Sequence, residues 1–223
     1  MRDTRPVVAL MDLLMPPACA GCGRAGALLC PACRKGLRPL EAASDRFVAA
    51  DPAVVIGEAL LVAVAAFAHE GPMRRALAAL KYTGVARLAP ILARSSSDRL
   101  AALLAIAGSP VLVPVPVHAE RLRERGYNQA ALLARELSRL AGLPAREALV
   151  RVRPTTKQHR LNRSARLANL RGAFAVAPGI AVPRTAILVD DILTTSATLE
   201  ACASVLADAG CEAAYGFAVA REV

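Results

Sequence analysis

Two adjacent carboxylates and the hydroxyl groups that follow them are the strongest candidates for chemistry in this sequence. Asp190 and Asp191 close an apolar run over residues 186–189, and residues 194–198 read Thr-Thr-Ser-Ala-Thr. Ionised carboxylates only accept hydrogen bonds, so they suit sugar hydroxyls or a divalent cation. Backbone N–H groups at a helix N-terminus, with hydroxyl donors beside them, favour a phosphate. The segment predicts a site for a phosphorylated sugar, although such acidic pairs also serve as metal ligands in phosphotransfer proteins, helix caps or solvated turn residues.

A strand and a helix must position these groups. Residues 187–189 have the uninterrupted apolar character of a strand buried on both faces, whereas residues 198–209 have helical spacing. In open α/β sheets, ligands bind in the crevice at the C-terminal ends of the strands. We therefore expect the carboxylates and hydroxyls at the end of a strand, facing the N-terminus of a helix.

The rest of the chain alternates strand-like and helix-like segments. Such alternation predicts an α/β fold with a mostly parallel sheet flanked by helices. The expected strands are 60–68, 111–114, 173–176, 186–190 and 213–220, and the expected helices are 5–16, 71–81, 88–104 with a break near 95–97, 130–141 and 198–209. The 223 residues suffice for one such domain and a small accessory module. We assign residues 1–45 to the module and 46–223 to the α/β domain.

Four cysteines near the N-terminus have the spacing of metal ligands. They form two Cys-x-x-Cys pairs separated by seven residues: Cys19, Cys22, Cys30 and Cys33. Four thiolates can close a tetrahedral Zn²⁺ site and leave no open position, which predicts a structural zinc that supplies folding free energy. A disulfide pair or a redox Cys-x-x-Cys remains the alternative. Cys202 and Cys211 stand apart and are expected to be small core residues.

The charge and hydropathy of the chain indicate which partners it could bind and where in the cell it is expected. Lys and Arg exceed Asp and Glu by 28 − 18 = 10, and no acidic residue lies between Glu147 and Asp190. Such a basic field attracts polyanions such as pyrophosphate, RNA or DNA, although 3% aromatics and no Trp argue against a base-stacking platform. The longest apolar stretch, 59–68, is too short to span a bilayer, and the mixed charges near the N-terminus disfavour a signal peptide. We expect a cytoplasmic protein without membrane insertion.

Residues 186–198 resemble the phosphoribosyl pyrophosphate (PRPP) signature of type I phosphoribosyltransferases. In that family the two acids hold the ribose hydroxyls and the following loop wraps the 5′-phosphate. The resemblance assigns the ribose to Asp190 and Asp191, and the phosphate to Thr194, Thr195, Ser196, Ala197 and Thr198. This sequence departs from the signature at Ser196, where the family usually has glycine. A side chain there would either narrow the approach to phosphate or add a donor.

The order of the motifs extends the resemblance along essentially the whole chain. The cysteine pairs come first, followed by Ala-Leu-Lys-Tyr-Thr-Gly at 79–84, Val-Pro-Val-Pro at 113–116, Arg-Gly-Tyr-Asn-Gln at 125–129 and the acidic motif. This order is similar to that of the ComF family of amidophosphoribosyltransferase-like proteins. The resemblance implies an N-terminal four-cysteine zinc module, a type I phosphoribosyltransferase domain that uses Mg²⁺ with PRPP, and a connection with natural competence.

Displacement of pyrophosphate from PRPP places negative charge on the leaving group, which basic side chains and Mg²⁺ would stabilise. Arg121 and Arg125 follow the proline-rich loop and are candidates for the pyrophosphate side, while Lys157 and Arg160 are candidates for a lid. The predicted catalytic residues are Asp190, Asp191, Arg121, Arg125 and Lys157. For each basic residue, a role at the surface or at a dimer interface is the alternative. Two roles are open for His118 and His159: proton transfer or simple solvation in a loop. Two roles are also open for Tyr127, Asn128 and Gln129: contact with the acceptor or capping of the following helix.

Two functions follow from these residues. The first is a Mg²⁺-dependent phosphoribosyltransferase acting on PRPP and an unidentified nitrogenous acceptor. The second is a competence or DNA-uptake accessory protein that binds single-stranded DNA or competence proteins, with the PRPP site sensory or vestigial. A purely structural role in an uptake complex is a third and weaker alternative. The sequence defines neither the acceptor nor the oligomeric state.

Overall fold

The computed structural model describes residues 16–40, 54–154, 170 and 172–222. The helix expected over 5–16 and most of the basic stretch, including Lys157, His159 and Arg160, lie outside these ranges. The helices are α1 (Pro31–Lys35), α2 (Gly71–Tyr82), α3 (Ala89–Ser95), α4 (Ser97–Ala107), α5 (Ala119–Arg125), α6 (Gln129–Ala141) and α7 (Ala197–Asp208), with a short 3₁₀ helix at Ala86–Leu88. The strands are β1 (Val54–Val55), β2 (Leu60–Ala68), β3 (Val111–Pro114), β4 (Leu149–Arg151), β5 (Phe174–Val176), β6 (Thr185–Leu193) and β7 (Ala213–Arg221).

Five of these strands form one mixed, mostly parallel sheet. Their order is β1-β2-β7-β6-β3; the four strands from β2 to β3 are parallel, and β1 pairs antiparallel at the edge. The remaining strands, β4 and β5, form a separate antiparallel pair. The α/β class expected from the alternation of elements is therefore confirmed, with the four-cysteine cluster preceding the sheet.

The two faces of the sheet are covered by different elements, because successive side chains of a strand point to opposite faces. Ile187 and Val189 of β6 join Phe217 of β7 in a core with α2, α3, α4 and α6. Leu188 and Ala218 join a second core with α7 and the β4–β5 pair. β6 is thus buried on both faces, as its uninterrupted apolar run predicts. Both Cys202 and Cys211 are buried in the second core.

Several element bounds follow the sequence closely. β2 spans the expected residues 60–68, and β3 ends at Pro114, where the ladder loses an N–H donor. The long helix expected over 88–104 is divided at Ser96, whose hydroxyl donates to the carbonyls of Leu92 and Ala93 at 2.9 and 3.2 Å. A serine that hydrogen-bonds to the preceding turn competes with the backbone pattern of the helix. The division predicted near residues 95–97 is therefore confirmed.

Other parts of the prediction are wrong in detail. β6 does not stop at residue 190, because Ile192 and Leu193 continue to pair with Ala220 and Arg221 of β7. The two carboxylates consequently lie within the strand rather than after it. The strand expected at 173–176 forms as β5, but it pairs with β4 outside the main sheet. The short strands β1 and β4 have too few residues to show a period in the sequence.

The cysteine-bearing segment packs against the start of α2. Cys33 and Leu37 share a core with Met73 of that helix, and the side chain of Arg75 donates to the carbonyl of Gly21. The chain then runs beside β2, where the Leu40 N–H donates to the carbonyl of Ala66 at 2.9 Å. The expected division at residue 45 falls in the stretch 41–53, outside the described residues.

The outer edge of the sheet at β3 is covered by the chain after α6. The Leu112 N–H donates to the carbonyl of Pro144, and the Arg146 N–H donates to the carbonyl of Leu112, both at 2.9 Å. A bridge pairs Leu112 with Ala145 in the parallel sense. At the other edge, β1 contributes only two residues. None of the helices in the described part of the chain has the length and hydropathy needed to cross a membrane.

Candidate functional site

The two acids of β6 point to opposite faces of the sheet. Asp191 is 2% exposed and lies on the α2 face, whereas Asp190 is partly exposed and lies on the α7 face near Cys202 and Arg151. Their alternation follows from the continuation of the strand through this point. The Asp191 N–H donates to Oδ1 of Asp190 at 2.8 Å. The carboxylates are therefore neighbours across the strand and not a pair facing one side.

A short ion pair joins Asp191 to the last turn of α2. Nζ of Lys81 lies 2.6 Å from Oδ2 of Asp191, and the side chains are only 19% and 2% exposed. Burial lowers the pKa of Lys81, but attraction to Asp191 and Asp190 outweighs it and holds this pKa above its ordinary value. Lys81 is therefore a fixed positive charge beside β6. Lys81 is not among the site residues predicted from the sequence.

The surroundings of Asp190 disfavour the ionised form of its carboxyl group. Burial, followed by repulsion from Asp191, raises the pKa of Asp190 well above its ordinary value. Arg151 lies on the same side with its guanidinium 5.5 Å from the centre of the Phe174 ring. A cation or several hydrogen-bond donors would stabilise the ionised form of such a carboxyl group. Sugar hydroxyls meet this requirement.

The turn after β6 is fixed by a left-handed residue. Ser196 has φ +60° and ψ −4° and is the one described non-glycine residue with positive φ. Its hydroxyl donates to the carbonyl of Thr195 at 2.5 Å, and no side chain caps the N-terminus of α7. The positive φ gives a physical reason for the glycine of the phosphoribosyltransferase signature, since glycine adopts this conformation without steric cost.

The remaining hydroxyl-run residues differ in what they can offer a ligand. Thr194 is exposed, Thr195 and Thr198 are partly exposed, and the side chain of Ala197 is buried in the second core. Ala197 can therefore contribute only its backbone. The start of α7 combines hydroxyl donors, backbone N–H groups and the positive end of the helix dipole, which together suit an anion.

A basic cavity lies on the Lys81 side of the sheet. It encloses about 280 Å³ and is lined by Lys81, Tyr82, Gly84, Arg121, Glu124 and Arg125. Arg125 lies over the ring of Tyr82, 5.7 Å from its centre, and its guanidinium donates to Oε1 of Gln129. The structure thus brings Arg121 and Arg125 together with Lys81. Lys157 and Arg160 are outside the described residues.

The Arg-Gly-Tyr-Asn-Gln motif makes structural contacts. Oδ1 of Asn128 accepts from the Ala130 N–H and caps α6, while Nδ2 donates to the carbonyl of Val115, both at 3.0 Å. Oη of Tyr127 donates to the carbonyl of Leu80 at 2.5 Å. His118 caps α5, since its Nδ1 accepts from the Glu120 N–H.

His69 is a further residue near this edge of the sheet that was not predicted from the sequence. It follows β2 directly, and its Nδ1 lies 3.8 Å from Oε1 of Glu222, which follows β7. Burial lowers the pKa of His69 despite the attraction of Glu222. The position was recognisable in principle, because it comes directly after a buried strand at the edge where the acids lie.

The four-cysteine cluster has the geometry of a zinc site. The sulfurs of Cys19, Cys22, Cys30 and Cys33 all lie within 4.8 Å of one another, and all are free thiols. The sulfurs of Cys22 and Cys30 are 3.8 Å apart, which is about the spacing that Zn–S bonds of ~2.3 Å give in a tetrahedron. The backbone N–H groups of Cys30 and Cys33 donate to the sulfurs of Cys19 and Cys30. The cluster could hold a metal such as zinc.

The thiol of Cys19 is prepared for metal binding. Burial raises its pKa, but hydrogen bonds from backbone N–H groups, including that of Cys30, outweigh this and lower it to about 6. A thiolate is the form that binds metal. Among the described residues, the cysteines are the only group of three or more His, Cys, Asp or Glu side chains close enough to share one metal ion.

The described structure is an α/β protein with two acids and a helix N-terminus at the C-terminal edge of its sheet and a four-cysteine cluster before the sheet. No protein-family model matches the chain. It is 38% identical over 113 residues to "Competence protein F" of Haemophilus influenzae, covering 49% of each chain. It is 39% identical over 100 residues to "Competence protein ComFC" of Bacillus subtilis, covering 45% of this chain and 39% of the relative. It is 31% identical over 131 residues to "DNA utilization protein YhgH" of Salmonella typhi, covering 57% of each.

These similarities support the resemblance to the ComF family that the motif order indicates. The matched region spans about half the length of the curated relatives.

Loss of one cluster cysteine should abolish metal binding. We expect reduced wild-type protein to contain one zinc per chain and Cys33→Ser to contain almost none, because three thiolates bind zinc far less tightly than four. Elemental analysis of the purified protein measures this. Cys211→Ser is the matched control and should retain the metal. Absence of zinc from reduced wild-type protein would contradict the assignment.

The backbone at Ser196 predicts an unusual order of stability. Ser196→Gly should be more stable than Ser196→Ala by about 0.5–1 kcal/mol, since only glycine relieves the left-handed conformation. Urea unfolding measures the difference. At Ser97, the first residue of α4, the order should reverse because glycine is the poorer helix former. If the glycine variant were the more stable one at both positions, the left-handed backbone of Ser196 would not be the cause of the difference.

Proposed function

We propose that the crevice at the C-terminal edge of the sheet binds PRPP and transfers its phosphoribosyl group to a nitrogenous acceptor. The observation that carries this proposal is the position of β6 between two groups suited to anions. Lys81 contacts Asp191 at 2.6 Å and lines the basic cavity. The uncapped N-terminus of α7 begins four residues after Leu193. PRPP carries a phosphate and a pyrophosphate on opposite sides of one ribose.

In this proposal the turn at residues 194–198 holds the 5′-phosphate, and Asp190 accepts hydrogen bonds from ribose hydroxyls. Such bonds would relieve the unfavourable ionisation of Asp190, since donors favour the charged form of a carboxylate. Asp191 holds Lys81 in place through the ion pair. The two acids therefore have different tasks, which fits their positions on opposite faces.

The basic cavity takes the pyrophosphate. Lys81, Arg121 and Arg125 face a single Glu124 among the charged residues that line it. As the bond to C1 of the ribose breaks, negative charge grows on the leaving pyrophosphate, and fixed positive groups stabilise it. Mg²⁺, when bound to PRPP through its pyrophosphate, would add to this stabilisation. Lys157 completes the proposed catalytic residues, and a cytosolic location is part of the proposal.

Titration of PRPP with and without Mg²⁺ tests the proposal. The double variant Asp190→Asn with Asp191→Asn should bind PRPP at least about tenfold more weakly, because hydrogen bonds to charged groups are lost. Glu212→Gln is the control, since Glu212 is exposed and pairs with Arg184. Pyrophosphate release across a panel of acceptors then tests transfer. Unchanged affinity in the double variant, or no binding by the wild type, would contradict the proposal.

A DNA-handling role is the second candidate, and one surface favours it. Residues 16–40 contain no acidic residue and four exposed basic ones, Arg24, Arg34, Lys35 and Arg38. Of these, Arg38 is paired with Glu70. The names of the relatives include DNA utilization and competence, and a basic module on an α/β domain is suited to a polyanion such as single-stranded DNA.

Binding of a labelled single-stranded oligonucleotide separates the second candidate from the first. Arg34→Gln with Lys35→Gln should weaken binding and reduce its salt dependence, because fewer counterions are released. Arg184→Gln serves as a control, since Arg184 is paired with Glu212. The double variant of Asp190 and Asp191 should still bind. Fluorescence anisotropy at several salt concentrations measures this, and no binding at low salt would exclude the role.

A further inference from the structure

We propose that Tyr127 is a positioning residue that holds the last turn of α2 so that Lys81 reaches Asp191 and the basic cavity. This inference rests on the proposed function for its consequence in ligand binding, whereas its structural part can be tested separately. The observation behind it is the 2.5 Å hydrogen bond from Oη of Tyr127 to the carbonyl of Leu80, the residue directly before Lys81.

The Leu80 carbonyl needs a partner from outside its helix. It belongs to the last four residues of α2, whose carbonyls find no N–H donor within the helix. Leu80 is fully buried, so water is not a ready substitute for a lost donor. Tyr127 is partly buried and packs against the same core as Leu80. Its hydroxyl therefore determines how the end of α2 is held.

The chain around Tyr127 is arranged to deliver this hydroxyl. Gly126 ends α5 with φ +81°, a turn that a side chain would strain. Asn128 then fixes the start of α6 through its bonds to Ala130 and Val115. With a constrained residue on each side, Tyr127 has little freedom to leave Leu80. Tyr127, in the middle of the Arg-Gly-Tyr-Asn-Gln motif, thus connects the end of α2 to the junction between α5 and α6.

The effect on Lys81 follows from the geometry of a helix end. Lys81 must project its ammonium group to within 2.6 Å of Asp191 while remaining in the cavity wall. Beyond Tyr82 the chain leaves the helix, and Gly84 adopts φ +73°. Without the Tyr127 bond, the final turn would be anchored less firmly, and Lys81 would sample positions away from Asp191.

The reactivity of Lys81 tests this without any ligand. The chain contains three lysines, Lys35, Lys81 and Lys157, so acetylation followed by mass spectrometry can resolve each one. Tyr127→Phe removes only the hydroxyl. We expect Lys81 in this variant to be acetylated about three- to tenfold faster relative to exposed Lys35, as expected for loss of one hydrogen bond. Tyr215→Phe, a change of the same kind in β7, should leave the ratio unaltered.

A double-mutant cycle tests the consequence for binding. Tyr127→Phe should weaken PRPP binding about three- to tenfold in the wild-type background, but less than about twofold when Lys81 is already replaced by Met. A residue that only stabilised the fold would weaken binding equally in both backgrounds. Thermal unfolding of all variants checks that they remain folded.

The outcomes are separable from those of the proposed function. An unchanged labelling ratio for Lys81 in Tyr127→Phe, or an equal loss of affinity in both backgrounds, overturns the positioning role. Faster labelling of Lys81 in Tyr127→Phe, together with a wild-type protein that does not bind PRPP, would support the positioning role while contradicting the proposed function.

Discussion

The buried ion pair between Lys81 and Asp191 is the interaction on which the arrangement of the site depends. Removing two charges from water is costly, and the cost is recovered only when each charge keeps its partner. Loss of one partner from such a pair typically costs about 3–5 kcal/mol, because the other charge is left buried. The pair therefore fixes the end of α2 against the central strand β6. At neighbouring Asp190, burial and repulsion from Asp191 raise the pKa, and the attraction of Lys81 offsets them only in part.

Much of the fold could be predicted from apolar periodicity and from a few prolines, glycines and serines. β2, the end of β3 at Pro114 and the break at Ser96 are all visible in the sequence. The role of Lys81 is not visible in the sequence, and the reason is geometrical. A helix that follows a strand normally returns toward the opposite edge of the sheet, which would carry Lys81 away from the acids. Here α2 starts just after β2 and reaches Asp191 at its last turn, so it crosses the functional edge instead.

The acids show the limits of reading a motif as one unit. The Asp-Asp pattern predicts a pair with a shared task, but the length of β6 depends on hydrogen bonds to β7 that lie far away in the sequence. Those bonds extend the strand past the acids and place them on separate faces. At Ser196 the sequence shows an unusual residue, and only the backbone reveals why glycine would suit that position. The first core also joins Cys33 to α2, so the cysteine cluster and Lys81 depend on the same helix.

The covered edge at β3 has a consequence for solubility and self-association. An exposed parallel strand offers its N–H and C=O groups to any other extended chain, which is a common route to aggregation. Here Pro144 and Arg146 already use both backbone groups of Leu112, and Pro114 has no N–H to offer. The opposite edge is only two residues long at β1. In the described part of the chain, neither margin of the main sheet provides a long template on which a second molecule could add a strand.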